Sequence, residues 1–540
     1  MPQVALIRPP RIAPVGAFSA GAPIPPIGIA YLAAQLEKES ISTQSIDGLG
    51  EDLDQFYRIK ELGETVFHGL TPVQISSLIS SDAQIIGFSC MFTTDWIICE
   101  ETIRQVRIAF PHALLIAGGE HISAEAKNSL LLCPELDICV LGEGEATLTE
   151  LASLFLANKP FQHINGIAYR RSDGSITINS RRERIANLDS IPSPRWVGIP
   201  VRSYLDRGYA MTTVGRRSMP IIASRGCPYR CTFCTSPQMW GTDLNLRSPA
   251  LVIEEIKQYY HLYGIDNCDF LDIVGVLNRK WIKELLERLI DTGLPITWMH
   301  GAGTRSEILD DEILALIKRS GVLRVFYAPE TGSKATAKRI KKNINLEKMI
   351  RSMKTAHRLG ISMRAPLIYG FPDQTIKEAL ENVWFSFRLA AVGVDDVVAH
   401  SFSAHPGSEL YHNLVMNGSI NLAELVTTRK YNEFFQQEKV TKISGLHSWS
   451  AHIPNWLLPV LQTGVMGLTY LVSFACHPRK LLATLQRVFI DRKPLTLLDH
   501  VLFSKFIQKR KDIEPIDVTD KLPMKSETNI PLKTESKHVA

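Results

Sequence analysis

The sequence predicts an α/β protein with two consecutive parallel-sheet domains and a mainly helical C-terminal region. Three observations carry this. Strand-like and helix-like segments alternate through residues 1–157. A second alternation repeats six times between residues 216 and 415. Three cysteines follow the first strand of that second series. Strands separated by helices imply a parallel sheet covered on both faces.

The elements can be argued in order. In the first domain, Val4–Arg8 is a short apolar run that reads as a strand, and Ile27–Lys38 is helical. Ile41–Ile46, Ala83–Ser89, Ala113–Ala117 and Leu136–Leu141 read as further strands, with helices over Trp96–Phe110 and Ala146–Ala157 between them. This is a doubly wound sheet, whose ligands bind beyond the carboxyl ends of the strands. Two glycine turns fall there, Gly118-Gly119-Glu120-His121 and Gly142-Glu143-Gly144-Glu145. Glycine lets backbone approach a ligand closely. Residues 158–215 read as a linker with a small hairpin over Gly166–Ile178, turning at Ser172-Asp173-Gly174. Its prolines keep the segment around Pro192 and Pro194 extended.

In residues 216–415, Met219–Ser224 is the first strand. Asp269–Ile273, Ile296–Gly301, Leu323–Ala328, Met363–Tyr369 and Asp395–Ser401 follow, separated by helical stretches. Six such repeats suit an open (β/α)6 partial barrel, with its active site at the carboxyl ends of the strands. Residues 416–512 read as helical. The stretch from Trp456 to Cys476 has no charged residue and is long enough to span a bilayer. It also contains Pro459, Gln462, Gly464 and Gly467, and Arg479-Lys480 follows it. A helical hairpin at a membrane surface or a cap over a substrate opening fits better than a span. Residues 513–540 read as a disordered polar tail.

The composition suits globular cores: 540 residues, 45% hydrophobic and 21% charged. A formal net charge of +5 is too mild to argue for nucleic acid. The nine cysteines are an odd number, and Met1–Pro10 lacks the pattern of a secretory signal. A reducing cytoplasm is expected, where clustered thiols signal metal more often than disulfide.

The segment Arg225-Gly226-Cys227-Pro228-Tyr229-Arg230-Cys231-Thr232-Phe233-Cys234 carries the chemistry. Three thiolates on a four-iron cluster leave one iron free to bind a small molecule. A structural zinc site would need a fourth ligand, and His261 and Cys268 stand at no zinc-knuckle spacing. The C-x3-C-x2-C run resembles the radical S-adenosylmethionine (SAM) superfamily. The glycine turns ahead of it, with Pro25-Pro26-Ile27-Gly28, resemble the cobalamin-binding domain of cobalamin-dependent radical SAM enzymes.

The resemblance implies three cofactors: a [4Fe-4S] cluster on Cys227, Cys231 and Cys234, SAM at its open iron, and cobalamin on the first domain. It implies that Gly118, Gly119, His121, Gly142, Glu143 and Gly144 line the cobalamin site. Phe233 and the Gly370-Phe371-Pro372 turn are expected near SAM. Glu330, in Tyr327-Ala328-Pro329-Glu330-Thr331-Gly332-Ser333, is expected to contact SAM or to form a structural ion pair. Asp272 is expected to face the SAM amino group or to cap its strand end. Arg364 is expected to face the barrel interior or to pair with a carboxylate. The sequence departs from the family at Asp47-Gly48-Leu49-Gly50, where Leu49 replaces the histidine that ligates cobalt in many cobalamin domains.

The activity so implied is reductive cleavage of SAM to a 5′-deoxyadenosyl radical, then methylation of an unactivated carbon of a hydrophobic or natural-product substrate. An oxidative cyclase or rearrangement enzyme of the same architecture is the nearest alternative. A non-catalytic cobalamin or redox sensor is the alternative from another class. A flavodoxin- or ferredoxin-like electron donor is the implied partner, with no nucleic acid and with membrane contact on the inner face left open.

Overall fold

The computed structural model describes residues 2–13, 23–211, 215–304, 308–425, 430, 431, 433, 434, 447–506 and 515–518. Two large sheets organise it. The first has seven strands. Five are parallel, in the order Ile138–Val140, Leu114–Gly118, Ile85–Ser89, Val4–Arg8, Thr43–Asp47. Val4–Arg8 lies between two neighbours and is buried along nearly its whole length. A doubly covered strand therefore reads as an unbroken apolar run rather than an alternation.

The hairpin expected in the linker belongs to this sheet. Ile167–Arg170 pairs antiparallel with Ile138–Val140, and Ile176–Ile178 adds the edge strand. The linker boundary at 158 is corrected accordingly. The hairpin has its own turn signal, and nothing in its sequence states which edge it joins.

The second sheet has six parallel strands in chain order: Ser218–Ile221, Asn267–Phe270, Thr297–His300, Val322–Phe326, Ser362–Tyr369 and Asp396–Ser401. Its first and last strands do not pair, so this is an open partial barrel. Four of the helices between the strands begin on side-chain caps. Asn278, Asp310 and Asn345 each accept a backbone N–H of the first turn. Thr375 and Glu378 form a reciprocal capping box at the start of Ile376–Val392.

A third, small sheet was not anticipated. Phe56–Ile59, Val66–His68 and Arg11–Ile12 join it, and Ile516–Val518 pairs with Phe56–Ile59. Part of the segment expected as a disordered tail is thus a strand. Its remaining residues, 513, 514 and 519–540, lie outside the described residues.

Candidate functional site

The cysteine loop leaves the first barrel strand through a short ribbon, Ser224–Arg225 paired antiparallel with Asn245–Leu246. Gly226 then turns the chain at φ +96°. A Cβ there would collide with the Asp243 carbonyl, so only glycine fits. Two backbone bonds tie the loop to the barrel: Thr232 donates to Ile340 (3.1 Å) and Leu410 donates to Thr232 (2.9 Å).

Cys227, Cys231 and Cys234 are all partly exposed, and none is joined in a disulfide. Burial raises the Cys231 pKa, Lys342 lowers it, and the other two thiols raise it again, so the three sulfurs share one field. Among the described residues no three His, Cys, Asp or Glu side chains close around a single ion. Thiolates on a multi-iron cluster each hold a different iron and stand farther apart. An accessible thiol set on one loop fits a [4Fe-4S] cluster.

Glu330 occupies the turn after the fourth strand at φ +60°, an unusual conformation for a glutamate. Its carboxylate pairs with Lys342 at 3.1 Å. The two charges lie close enough to Cys231 to shift it in opposite senses. The next turn residues are fixed by Asn382, whose amide oxygen accepts from Thr331 Oγ1 (2.7 Å) and the Gly332 N–H (2.5 Å). Lys342 and Asn382 had no motif to mark them. Phe233 packs on Phe371 at 5.9 Å between ring centroids. The Gly370 N–H donates to Gln374 Oε1 at 2.7 Å, which holds the turn after the fifth strand.

Register places Phe326, Arg364 and Asp396 side by side, with Ile368 beside His400 farther along. Burial alternates along Ser362–Tyr369, with Arg364 and Ile368 on the more accessible face. Arg364 has no carboxylate partner among the described residues; its guanidinium lies 5.7 Å from the Phe326 ring centroid. The neighbouring Asp396 is held by Arg324 at 2.8 Å. His400 is exposed, yet desolvation lowers its pKa. Arg364 and His400 therefore share one face of the sheet, near enough for Arg364 and Glu330 to shift His400 in opposite senses.

Asp272 is corrected to a strand-end cap. It accepts from Ser224 Oγ and, at 3.4 Å, from the Ala223 N–H. It borders a small cavity of about 30 Å³ with Trp281, Leu285 and Trp298, on the helix-covered side of the sheet. Its carboxylate is used to hold the root of the cysteine loop.

The first domain meets this loop directly. Thr235, one residue after Cys234, donates to Glu120 at 2.6 Å. Arg225 bonds Glu143 at 3.0 Å and Glu145 at 2.5 Å. Burial works against the Arg225 charge, but Glu145 and Glu143 hold its pKa above the ordinary value. Burial alone would raise the Glu145 pKa; Arg225 outweighs it and keeps the carboxylate ionised. Glu143 also takes the Ile185 N–H (2.9 Å) and Arg184 (3.5 Å). Its carboxylate is thus committed to the domain contact.

Gly118 ends its strand, and its carbonyl accepts from Cys90 at 2.8 Å. Gly119, at φ +118°, lies so close to the Cys90 carbonyl that a Cβ would overlap it. The Gly142 N–H donates to Ser123 Oγ at 2.9 Å. Gly142 and Glu143 border a cleft of about 910 Å³ shared by the first domain, the linker and the segment after the cysteines, including Ser123, Arg182 and Met239. Gly144 begins the next helix against Leu32.

The expectation that His121 lines the cobalamin site is corrected. It is buried against Trp96 and Tyr431, with Nδ1 3.2 Å from Thr93 Oγ1 and Nε2 3.5 Å from Ser129 Oγ. Burial pushes its pKa down to about 3, so it is a neutral core imidazole. Leu49 is fully buried with Leu53 and Tyr204. Tyr204 donates to Asp47 at 2.6 Å. Hydrocarbon fills the place of a lower-ligand histidine.

Known proteins agree with this geometry. The family model described as "B12 binding domain" matches residues 14–152, and that described as "Radical SAM superfamily" matches residues 221–383. The chain is 28% identical over 429 residues to the uncharacterized methyltransferase PH0819 of Pyrococcus horikoshii, covering 78% of this chain and 86% of that one. It is also 28% identical over 437 residues to the cytidylyl-2-hydroxyethylphosphonate methyltransferase of Streptomyces wedmorensis, covering 76% and 81%. Its fold matches the radical SAM methyltransferase TsrM of Kitasatospora setae, solved with cobalamin and a [4Fe-4S] cluster. That match has a TM-score of 0.65 and 15% identity over 94% of this chain and 99% of that one. An N-terminal ligand sheet clamped onto a three-cysteine partial barrel defines a class that pairs a corrinoid with SAM chemistry. The chain belongs to the cobalamin-dependent radical SAM family. Its cofactors are a [4Fe-4S] cluster, SAM and cobalamin.

Proposed function

We propose that this enzyme methylates an unactivated carbon of a small substrate with a hydrophobic body. The observation that carries the proposal is the direct seating of the cobalamin domain's strand-end turns on the cysteine loop, through Glu120–Thr235 and Arg225 with Glu143 and Glu145. That contact supports reading the two cofactor sites as neighbours. When bound, the cluster supplies the electron that cleaves SAM to a 5′-deoxyadenosyl radical, and cobalamin supplies the methyl group. Cys227, Cys231 and Cys234 are assigned to the cluster. Glu330 is assigned to SAM, with Lys342 holding its carboxylate. Gly142 and the cleft beside it are assigned to cobalamin. Arg364 and His400 are assigned to a polar end of the substrate, because they share one sheet face beside Glu330 and Arg364 forms no ion pair among the described residues.

The test is anaerobic purification with cobalamin supplied, then iron, sulfide and cobalt analysis. The wild type is compared with a Cys227→Ala/Cys231→Ala/Cys234→Ala variant. The expected result is about four irons and about one cobalt per wild-type chain, with iron alone lost in the variant. Reduced enzyme should then form 5′-deoxyadenosine and S-adenosylhomocysteine together. 5′-Deoxyadenosine without S-adenosylhomocysteine would replace methylation with cyclisation or rearrangement. No SAM cleavage would leave a sensor.

A further inference from the structure

The C-terminal helices are inside out. In Val465–Cys476, the residues turned into the protein include Thr469 and Ser473, both nearly fully buried. Leu468 and Leu471 point outward, Leu471 with 65% of its surface exposed. The next helix repeats the pattern. Thr484 and Val488 face inward, and Arg487 bonds the buried Asp499 at 2.5 Å. Leu481, Leu482, Leu485, Phe489 and Ile490 face outward, with Leu482 67% and Ile490 75% exposed. A helix in water turns its apolar stripe inward. Exposed apolar residues concentrated on two consecutive helices are of the kind that mark an interaction site.

We propose that this face seats the protein on an anionic lipid surface. Charge decides the occupant. Arg479, Arg492, Lys493 and Lys505 are exposed around the apolar stripe and pair with no carboxylate among the described residues. Lys505 instead lies 5.7 Å from the Phe506 ring centroid, and Phe506 is exposed beside Phe489. Apolar side chains ringed by cations suit the headgroup boundary of a membrane with negative lipids. Trp456 is 70% exposed at the start of the first helix and suits the same depth.

The geometry favours lying on the membrane over crossing it. Leu457–Cys476 is long and apolar enough to span, with a mean hydropathy of 1.5. One side of it is nevertheless bonded to the barrel. Gln462 donates to Ser401 at 3.1 Å, and Tyr470 bonds Asp396 on the sixth strand. A span would strip these polar side chains of their partners and place them in hydrocarbon. The proposal stands apart from the assigned reaction, since no cofactor residue takes part in it.

Vesicle co-sedimentation of the holoenzyme tests it. The probes are vesicles of phosphatidylcholine alone and of equal phosphatidylcholine and phosphatidylglycerol. Binding to the mixed vesicles is expected, weakening with added salt. Leu482→Glu/Phe489→Glu/Ile490→Glu should weaken it by roughly tenfold or more, and Arg492→Glu/Lys493→Glu should weaken it selectively for anionic vesicles. All substituted residues are surface residues, so thermal unfolding and SAM cleavage should match the wild type. Absent binding, or binding unchanged in the apolar variant, overturns the proposal. So does a wild-type dimer in light scattering that the apolar variant dissociates, with no vesicle binding, since a second copy would then cover the face.

Discussion

Single residues in this protein are tuned by what surrounds them, and Glu125 shows it most clearly. It sits at a kink in Glu120–Leu132, nearly fully buried, bonded by Asn128, and borders the interdomain cleft. Burial is the largest influence and pushes its pKa up to about 7. The unfolded chain titrates near the ordinary glutamate value, so between the two the folded state holds more protons. Stability from this group is therefore full at low pH and falls as pH rises through about 7. Glu125→Gln should leave the melting temperature unchanged near pH 4 and raise it at pH 8, with a gain on the order of 1–3 kcal/mol there. A parallel loss at both pH values would mean that the carboxylate makes a bond the amide does not. Glu330 allows a sharper separation of roles. Glu330→Gln preserves size, and the Lys342 partner keeps a hydrogen-bond acceptor. SAM affinity of the cluster-loaded protein, read by equilibrium dialysis, is expected to fall roughly tenfold, or about 1.4 kcal/mol. Unchanged affinity with a lowered melting temperature would reduce Glu330 to an ion pair. The cysteines and this turn were legible because their chemistry demands fixed residue types at short spacing. Lys342, Asn382 and Arg225 were not, because their partners lie 12, 51 and at least 80 residues away in the chain.

Elements were legible where local signals agree. All six barrel strands and the five helices between them combine a hydrophobic period with a cap or a glycine stop, and they formed as expected. The failures share one cause. The hairpin and Ile516–Val518 were placed by their neighbours in the chain, but edge strands join whichever sheet edge is open. The cysteine loop illustrates how elements cooperate across domains. Arg225, at the end of a two-residue strand, is held by carboxylates from the turn after Ile138–Val140, and its guanidinium lies 5.5 Å from Tyr31 and 5.8 Å from Trp240. Removing one partner of a buried ion pair leaves the other charge stranded, at a cost of about 3–5 kcal/mol. Arg225→Ala should lower stability by that order and lower iron content as well, because Gly226 and Cys227 follow directly. Adding Glu143→Gln and Glu145→Gln to Arg225→Ala should restore part of the stability but not the iron. Full recovery of both would show that the clamp is dispensable for shaping the loop.

At the scale of the whole molecule, the sequence suggests two cofactor domains joined by a linker, and the structure shows them sharing one core. A single hydrophobic cluster runs from Val4, Leu6 and Tyr31 through Trp196 to Met219, Val252 and Leu286. A second joins Ile7 and Phe88 to Phe371, Phe402 and Tyr411. The presumed linker is part of this core: Trp196 Nε1 donates to Tyr259 at 3.0 Å, and Arg195 pairs with Glu37 at 2.5 Å. Arg247 continues the junction, bonding Glu255 at 2.6 Å and Tyr31 at 3.2 Å. Composition and periodicity cannot reveal a shared core, since each domain's apolar faces would look the same if packed separately. The consequence is cooperative. Separate domains with polar interfaces melt independently, whereas one buried core melts as one. Calorimetry of the holoenzyme should give one transition whose calorimetric and van't Hoff enthalpies agree. Residues 1–157 expressed alone would uncover the apolar face of Ile27–Lys38 and should aggregate or stay partly unfolded. Two resolved transitions, with a soluble, cobalamin-binding 1–157 fragment, would restore the picture of independent domains. It would also mean that the buried Arg225 and Arg247 junctions contribute alignment of the two cofactor sites rather than stability.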